Sequence, residues 1–288
     1  INAISELLCK KVRGILLTGG EPTLHPHYQE YIELFSKYTE VHMISNGSVL
    51  YLHDPKPLKK LDHIQFSIYG CNDQEYQKMT GSPDGFSRLI KSIDFTKHNM
   101  IPAIVAVTLC DETLPHIEQF VKLAIELDMD VIRIGIADSF GRGEYLYSKN
   151  STFKHHTDDA LKEILTLKRQ YRHQIRIEIP NIAADHVISH NDLCEHVYKD
   201  SLRCGCGTEY IVISPKGSIR PCQMLPEVPF SVHSENVLSE HIHGNLHKQQ
   251  LSNAVHDYCR SIGCCTPDSA PCYALAEYLR EENKHAHS

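Results

Sequence analysis

Four adjacent residues combine backbone freedom with a carboxylate: Gly19, Gly20, Glu21 and Pro22. Two neighbouring glycines let the backbone approach a ligand closely, and their N–H groups can bind a carboxylate. The side chain of Glu21 is suited to an amino group. Together these groups predict a pocket for a zwitterionic, amino-acid-like ligand. A tight turn that closes a βα unit explains the same four residues and is the commoner meaning of a lone glycine-rich turn.

The second group of chemically active residues is a set of cysteines. Eight of the eleven cysteines lie in the last 95 residues, from Cys194 onward. The pattern predicts a hairpin with strands at 210–213 and 218–222, which would bring Cys204 or Cys206 next to Cys222. Four thiolates could hold zinc or a [4Fe–4S] cluster, and spacing does not separate the two. The isolated Cys9, Cys71 and Cys110 are interpreted as buried apolar residues.

The elements that must position these groups alternate along the chain. The hydrophobic pattern predicts strands at 12–17, 41–44, 63–69, 103–108, 131–136 and 175–179, and helices at 28–38, 86–98, 114–127 and 157–171. Such alternation is typical of parallel βαβ units with right-handed crossovers. The predicted fold is therefore α/β, a partial (β/α)6 barrel of parallel strands followed by a cysteine-rich β-hairpin/helix domain.

Reactive groups in such a fold lie where the strands end. The glycine-rich turn follows the first strand and Asn46 follows the second. In the third strand Ile64, Phe66 and Ile68 alternate with polar residues, so Ser67 is predicted on the face opposite to the apolar one.

Composition excludes several classes of function. The chain carries 36 acidic and 29 basic side chains, a net charge of −7, without a run of like charge, which argues against nucleic-acid binding. No apolar stretch approaches the roughly 18 residues that a membrane span needs, and the first residues show no charged-then-apolar pattern of the kind found in signal peptides. The interpretation is a cytoplasmic protein, in which clustered cysteines indicate metal binding or catalysis rather than disulfides.

These motifs, in order, resemble the core of a radical S-adenosylmethionine (SAM) enzyme. The segments that carry the resemblance are Gly-Gly-Glu-Pro-Thr-Leu-His-Pro at 19–26, Ser-Asn-Gly at 45–47 and Phe-Ser-Ile-Tyr-Gly at 66–70. The tail, from Cys-Gly-Cys at 204–206 to Pro-Cys at 221–222, resembles a SPASM or twitch extension that binds auxiliary iron–sulfur clusters. The resemblance implies two domains, a barrel core at 1–185 and an auxiliary-cluster domain at 186–288.

The resemblance also implies a cofactor and its site. A [4Fe–4S] cluster with one open iron site would hold SAM, whose reductive cleavage yields a 5′-deoxyadenosyl radical that abstracts hydrogen from a substrate. Gly19, Gly20 and Glu21 would bind the methionine amino end. Asn46 and Ser67 would line the site, with Ser67 near the ribose. Adenine would lie against Val105, Val107 or Ile134, which are equally good core residues. The full set of expected cofactor-binding residues is Gly19, Gly20, Glu21, Pro22, Asn46 and Ser67.

Two departures from the family pattern qualify these expectations. The CxxxCxxC motif that binds the SAM cluster does not occur in the sequence, and Cys9 cannot replace three ligands. Since the chain opens with Ile1 in a helix-like segment, we expect an N-terminal truncation, with an inactive fragment and an active longer protein. The spacing of the later cysteines fits one auxiliary [4Fe–4S] cluster as well as two. The candidate ligands are Cys204, Cys206, Cys222, Cys259, Cys264, Cys265 and Cys272.

The sequence is compatible with three functions. The favoured one is a radical SAM maturase that modifies a peptide or protein side chain and takes electrons from a flavodoxin- or ferredoxin-type reductant. The second is a radical SAM enzyme that acts on a small molecule or tetrapyrrole. The third is a non-catalytic binding module stapled by a metal. Fold resemblance alone does not choose among them.

Overall fold

A six-stranded parallel sheet forms the centre of the computed structural model of the chain. The structure describes residues 12–137, 153–179, 212–215 and 219–220. Each strand is followed in space by the next one along the sequence, and every neighbouring pair is parallel. The strands are β1 (Gly14–Leu17), β2 (Glu40–Ser45), β3 (His63–Ile68), β4 (Ala103–Leu109), β5 (Val131–Ile136) and β6 (Arg176–Glu178). The predicted α/β class and all six predicted strands are confirmed.

Helices connect consecutive strands. They are α1 (Tyr28–Phe35), α2 (Pro55–Leu58), α3 (Asp73–Thr80), α4 (Gly85–His98), α5 (Ile117–Glu126) and α6 (Phe153–Gln170), with 3-10 turns at Pro22–Leu24, Leu50–Leu52 and Leu114–His116. Helix α5 shows why they pack on the sheet. Its buried residues Ile117, Phe120, Val121 and Ala124 recur at helical spacing and form one apolar stripe. The helices predicted at 28–38, 86–98, 114–127 and 157–171 are confirmed with shifted ends.

The two faces of the sheet differ in polarity. Strand β3 buries Ile64, Phe66 and Ile68 and leaves the alternating polar residues, including Ser67, half-buried. We call the face that carries Ser67 the open face. Ser67 pairs in register with Ala106, so Val105 and Val107 share the buried face with Phe66.

The residues expected near adenine lie on that buried face. Val105 and Ile134 are fully buried and Val107 is 2% exposed. All three belong to the hydrophobic core, and the open face of β4 instead carries Ala106 and Thr108.

The six strands belong to one compact unit, residues 9–137 and 149–181. The second unit contains a two-stranded antiparallel hairpin, β7 (Val212–Ile213) and β8 (Ile219–Arg220). The sequence predicts a hairpin at this position, with longer strands at 210–213 and 218–222. The rest of the predicted domain at 186–288 lies outside the described residues. Among the helices that the structure describes, none has the length and apolar character of a membrane span.

Candidate ligand-binding site at the carboxyl edge of the sheet

The glycine pair lies directly beyond the end of β1. Gly19 has φ +139°, a conformation that residues with a Cβ rarely adopt. Both glycines are exposed, and a Cβ placed on either one would meet no atom within 4 Å. The backbone at this point is therefore open to a ligand at the edge where the strands of a parallel sheet end.

The carboxylate of Glu21 is fixed by four hydrogen bonds. Its Oε1 accepts from the Thr23 backbone N–H at 3.1 Å and from the Thr23 hydroxyl at 2.6 Å. The same oxygen accepts from the Ser45 hydroxyl at 2.9 Å, and Oε2 accepts from the Asn46 N–H at 2.7 Å. Glu21 thereby caps the Pro22–Leu24 turn and ties it to the end of β2. The tight turn that the sequence predicts is therefore present, and four donors hold the Glu21 carboxylate in one position.

Hydrogen bonds within the chain also hold the turn at 45–47 that contacts Glu21. The side chain of Asn46 accepts from the Ser48 N–H at 2.8 Å, and the Gly47 N–H donates to the Ser45 hydroxyl at 3.0 Å. Gly47 has φ +70°, and a Cβ there would lie 2.8 Å from Leu89 Cδ1. Glycine is required at this position for both reasons. Asn46 therefore contributes its N–H to Glu21 and uses its side chain to stabilise the turn.

Ser67 lies on the open face, one strand farther along. Its side chain is half-buried, and its carbonyl accepts from the hydroxyl of Tyr76 at 2.9 Å. Burial raises the pKa of Tyr76 far above its ordinary value, so this phenol stays protonated and keeps donating. A residue of α3 thus bonds to the backbone of β3, and the side chain of Ser67 lies on the open face of the sheet.

Two aromatic residues, Tyr28 and His53, lie close enough to Glu21 for its charge to affect their pKa values. Tyr28 is 3% exposed and its ring meets that of His53 edge-on, with centroids 5.2 Å apart. Burial raises the pKa of Tyr28, and the charge of Glu21 adds to this effect. Burial lowers the pKa of His53, although the negative charge of Glu21 acts in the opposite direction. Among the described residues no Lys or Arg forms an ion pair with Glu21, so none of them neutralises its carboxylate, a group suited to a cationic ligand.

Sequence reasoning missed a polar network on the open face. Arg133 on β5 donates from Nε to Glu178 Oε2 at 2.8 Å and from Nη1 to Gln65 Oε1 at 2.9 Å. A guanidinium carries donors only, so the amide of Gln65 must turn its oxygen toward Arg133. The bonded residues are 45 and 68 positions apart in sequence, so no local sequence pattern predicts these contacts.

The seven cysteines proposed as cluster ligands lie outside the described residues, as does Cys9. Cys110 is 2% exposed, which confirms that it is buried, and its thiol donates to Glu112 Oε2 at 3.0 Å. Cys71, also expected to be buried, is only half-buried. Burial raises the pKa of Cys71 to about 11. Within the described ranges no group of three or more His, Cys, Asp or Glu residues could hold a metal ion.

Comparison with known proteins identifies the class of this domain. Residues 1–124 match the family model "Radical SAM superfamily". This match confirms the radical SAM domain that the motifs at 19–26, 45–47 and 66–70 predicted. The predicted SPASM domain stays a prediction.

Several curated proteins are similar to the chain. AlbA, an antilisterial bacteriocin subtilosin biosynthesis protein of Bacillus subtilis, is 23% identical over 215 residues, which cover 73% of this chain and 44% of AlbA. PqqA peptide cyclase of Methylorubrum extorquens is 19% identical over 235 residues, covering 80% of this chain and 58% of the cyclase. A probable GTP 3′,8-cyclase of Saccharolobus islandicus is 27% identical over 171 residues, covering 56% and 53%. The chain thus spans about half the length of these relatives.

Solved structures show the same fold. The crystal structure of SuiB from Streptococcus suis bound to S-adenosylmethionine is 14% identical to this chain, with a TM-score of 0.63 over 87% of this chain and 60% of SuiB. SuiB has also been solved with its precursor peptide SuiA. At this identity the likeness establishes the fold and nothing further about the chain.

Proposed function

We propose that the protein containing this chain is a radical SAM enzyme that modifies a peptide or protein side chain. The observation that carries the proposal is the carboxylate of Glu21, held rigidly beside Gly19 and Gly20 at the carboxyl edge of a parallel sheet. All three residues fall within the segment that matches the radical SAM superfamily. We infer that this edge binds the methionine end of SAM.

The residues present fit that ligand. Three donors converge on Oε1 of Glu21 and one on Oε2, so Oε2 keeps acceptor capacity for an ammonium group. The N–H groups at Gly19 and Gly20 suit the carboxylate of the same ligand. Asn46 and Ser67 would line the site beyond this head group, and Pro22 begins the turn that Glu21 caps. SAM, when bound, would supply the 5′-deoxyadenosyl group that abstracts hydrogen.

The residues that the structure describes do not include a set of ligands for an iron–sulfur cluster. CxxxCxxC is absent from the 288 residues, and the described ranges hold no metal-binding group. We propose that the ligands of the SAM cluster come from sequence beyond these residues. One or two auxiliary clusters on cysteines between Cys204 and Cys272, and a flavodoxin- or ferredoxin-type reductant in the cytoplasm, complete the proposal.

A peptide substrate is favoured by two curated relatives and one structure. One curated relative is named a peptide cyclase, and another, AlbA, is named a bacteriocin biosynthesis protein. The structure of SuiB has been solved with a bound precursor peptide. The probable GTP 3′,8-cyclase favours the second candidate, a small-molecule substrate. Mass spectrometry of a precursor peptide co-expressed with the enzyme separates the two, because only a maturase changes the mass or crosslinks of the peptide.

The test begins with the complete reading frame that contains these residues. The protein is purified anaerobically, its iron and sulfide are counted, and 5′-deoxyadenosine is measured after adding SAM and a reductant. About eight or twelve irons per chain are expected for a SAM cluster with one or two auxiliary clusters. Zinc alone, or iron without SAM cleavage, would leave the metal-stapled binding module as the function.

Glu21→Gln tests the site itself. The substitution keeps the size of the side chain but removes its charge, and we expect a loss of SAM affinity of roughly tenfold or more. Glu30→Gln is the matched control, because Glu30 is an exposed carboxylate on neighbouring α1. Equal affinities for the two variants would contradict the assignment of Glu21.

A further inference from the structure

A buried serine on helix α4 reaches out of its own helix to the turn beside Glu21. Ser92 has no exposed surface, and its hydroxyl donates to the carbonyl of Gly47 at 2.5 Å, 45 residues away in sequence. Buried serine and threonine hydroxyls within helices commonly bond to a carbonyl of the preceding turn. Thr96, equally buried on the next turn of α4, does so and donates to Ile93 at 2.7 Å. Ser92 therefore makes a specific tertiary bond that its neighbour lacks.

Gly47 is held by α4 on two sides. Its carbonyl accepts from Ser92, and the side chain of Leu89, also on α4, lies where a Cβ of residue 47 would stand. Without Ser92 this buried carbonyl would lose its partner, which is costly inside a protein. The φ of +70° at Gly47 is thus maintained by polar and steric contact with one helix.

The same turn, residues 45–47, donates two hydrogen bonds to the carboxylate of Glu21. The Gly47 N–H donates to Ser45 Oγ, so the single proton of that hydroxyl is directed to Glu21 Oε1. The Asn46 N–H, in the same turn, donates to Oε2. Each oxygen of the carboxylate therefore receives one donor from the turn that Ser92 anchors.

We propose that Ser92 is a positioning residue for recognition of the amino-acid head of the ligand at Glu21. It acts through the 45–47 turn and touches no ligand itself. The inference rests on the proposed function, in which the carboxylate of Glu21 binds an ammonium group. It predicts that α4 sets affinity for the amino acid end of SAM and not for its nucleoside end.

Two ligands separate these ends. S-adenosylhomocysteine contains the amino-acid head, and 5′-methylthioadenosine keeps the nucleoside and the sulfur without that head. Their dissociation constants are measured anaerobically by calorimetry on the complete protein and on Ser92→Ala. We expect Ser92→Ala to bind S-adenosylhomocysteine roughly three- to tenfold more weakly and 5′-methylthioadenosine as the wild type does.

Thr96→Ala is the matched control, because it removes an equally buried hydroxyl from the same helix. It is expected to lower the melting temperature and to leave both dissociation constants unchanged. Ser92→Cys fills nearly the same space with a weak donor and provides the test if the alanine variant does not fold. Its loss of S-adenosylhomocysteine affinity is expected to be smaller and equally selective.

Equal weakening of both ligands, or unchanged affinity with a lowered melting temperature, would show that Ser92 only stabilises the fold and would overturn the inference alone. A wild-type protein that binds neither ligand would overturn the proposed function together with it.

Discussion

Arg133 and Glu178 pair across neighbouring strands β5 and β6, with Nε and Oε2 2.8 Å apart on the open face of the sheet. Both side chains are about one-third exposed, so the pair is neither fully buried nor at the surface. Glu178 also forms an ion pair with Arg176, whose Nη2 lies 3.1 Å from Glu178 Oε1. Across β4, Arg133 donates a hydrogen bond to Gln65 on β3. The network joins β3 to β6 without a residue of β4 and stabilises the later half of the sheet.

Replacing Arg133 by methionine is expected to lower the free energy of unfolding by about 1–2 kcal/mol, between the values for exposed and buried ion pairs. The variant leaves the amide of Gln65 and one oxygen of Glu178 without their partner. Urea unfolding measures the loss. Arg172→Met, at an exposed arginine after α6, is the control and should cost less than about 0.5 kcal/mol. Equal losses at the two positions would contradict a role for the network.

The stability of the fold is expected to fall as the pH drops below about 6.5, the ordinary pKa of histidine. Burial lowers the pKa of His63, and nearby His42 and Arg133 lower it further. The ring centroids of His42 and His63, on adjacent strands, lie 4.3 Å apart. Since the folded state resists protonation, the unfolded chain binds the proton first, and acid destabilises the protein.

Thermal melting between pH 8 and pH 5 checks this expectation. His63→Gln should reduce the dependence of the melting temperature on pH in this window. Exposed His98→Gln controls for the loss of an imidazole as such. An unchanged pH dependence in His63→Gln would refute the role of this residue.

Two glycines with the same backbone conformation should respond differently to alanine. Gly47 and Gly81 have φ of +70° and +77°, but a Cβ at Gly47 would overlap Leu89, whereas a Cβ at Gly81 meets no atom within 4 Å. Gly81→Ala should cost about 1 kcal/mol of unfolding free energy for the conformation alone. Gly47→Ala adds steric overlap and should cost about 2–4 kcal/mol. Similar losses in urea unfolding would show that Leu89 moves aside freely.

The strands could be predicted from sequence because each has a periodic apolar pattern. In β3 the alternation from Ile64 to Ile68 fixed both the strand and the face of Ser67. Helix α3 could not be predicted from apolar periodicity, because only Tyr76 of its eight residues is buried and the helix has no apolar stripe. Its ends were marked by the reciprocal bonds of Asn72 and Glu75 and by left-handed Gly81, signals that periodicity does not include.

The candidate site could be predicted only in part. The residue types at 19–22 indicated a pocket or a turn, and the structure shows that the Glu21 carboxylate caps a turn while lying beside an open backbone. Its partner Ser45 and the anchor Ser92 could not be inferred, because contacts over 24 and 45 residues depend on how the strands and α4 pack. Local patterns specify elements, and only packing specifies which polar groups meet.

Gly20 distinguishes a ligand site from a mere turn. Its φ is not positive and a Cβ there meets no protein atom within 4 Å, so Gly20→Ala should fold with unchanged stability. If a ligand lies against this backbone, the added methyl group occupies its space, and S-adenosylhomocysteine should bind roughly tenfold more weakly or worse. Gly81→Ala gives the opposite pair of results, lower stability with unchanged affinity. Wild-type affinity in a stable Gly20→Ala protein would mean that the glycines serve the turn alone.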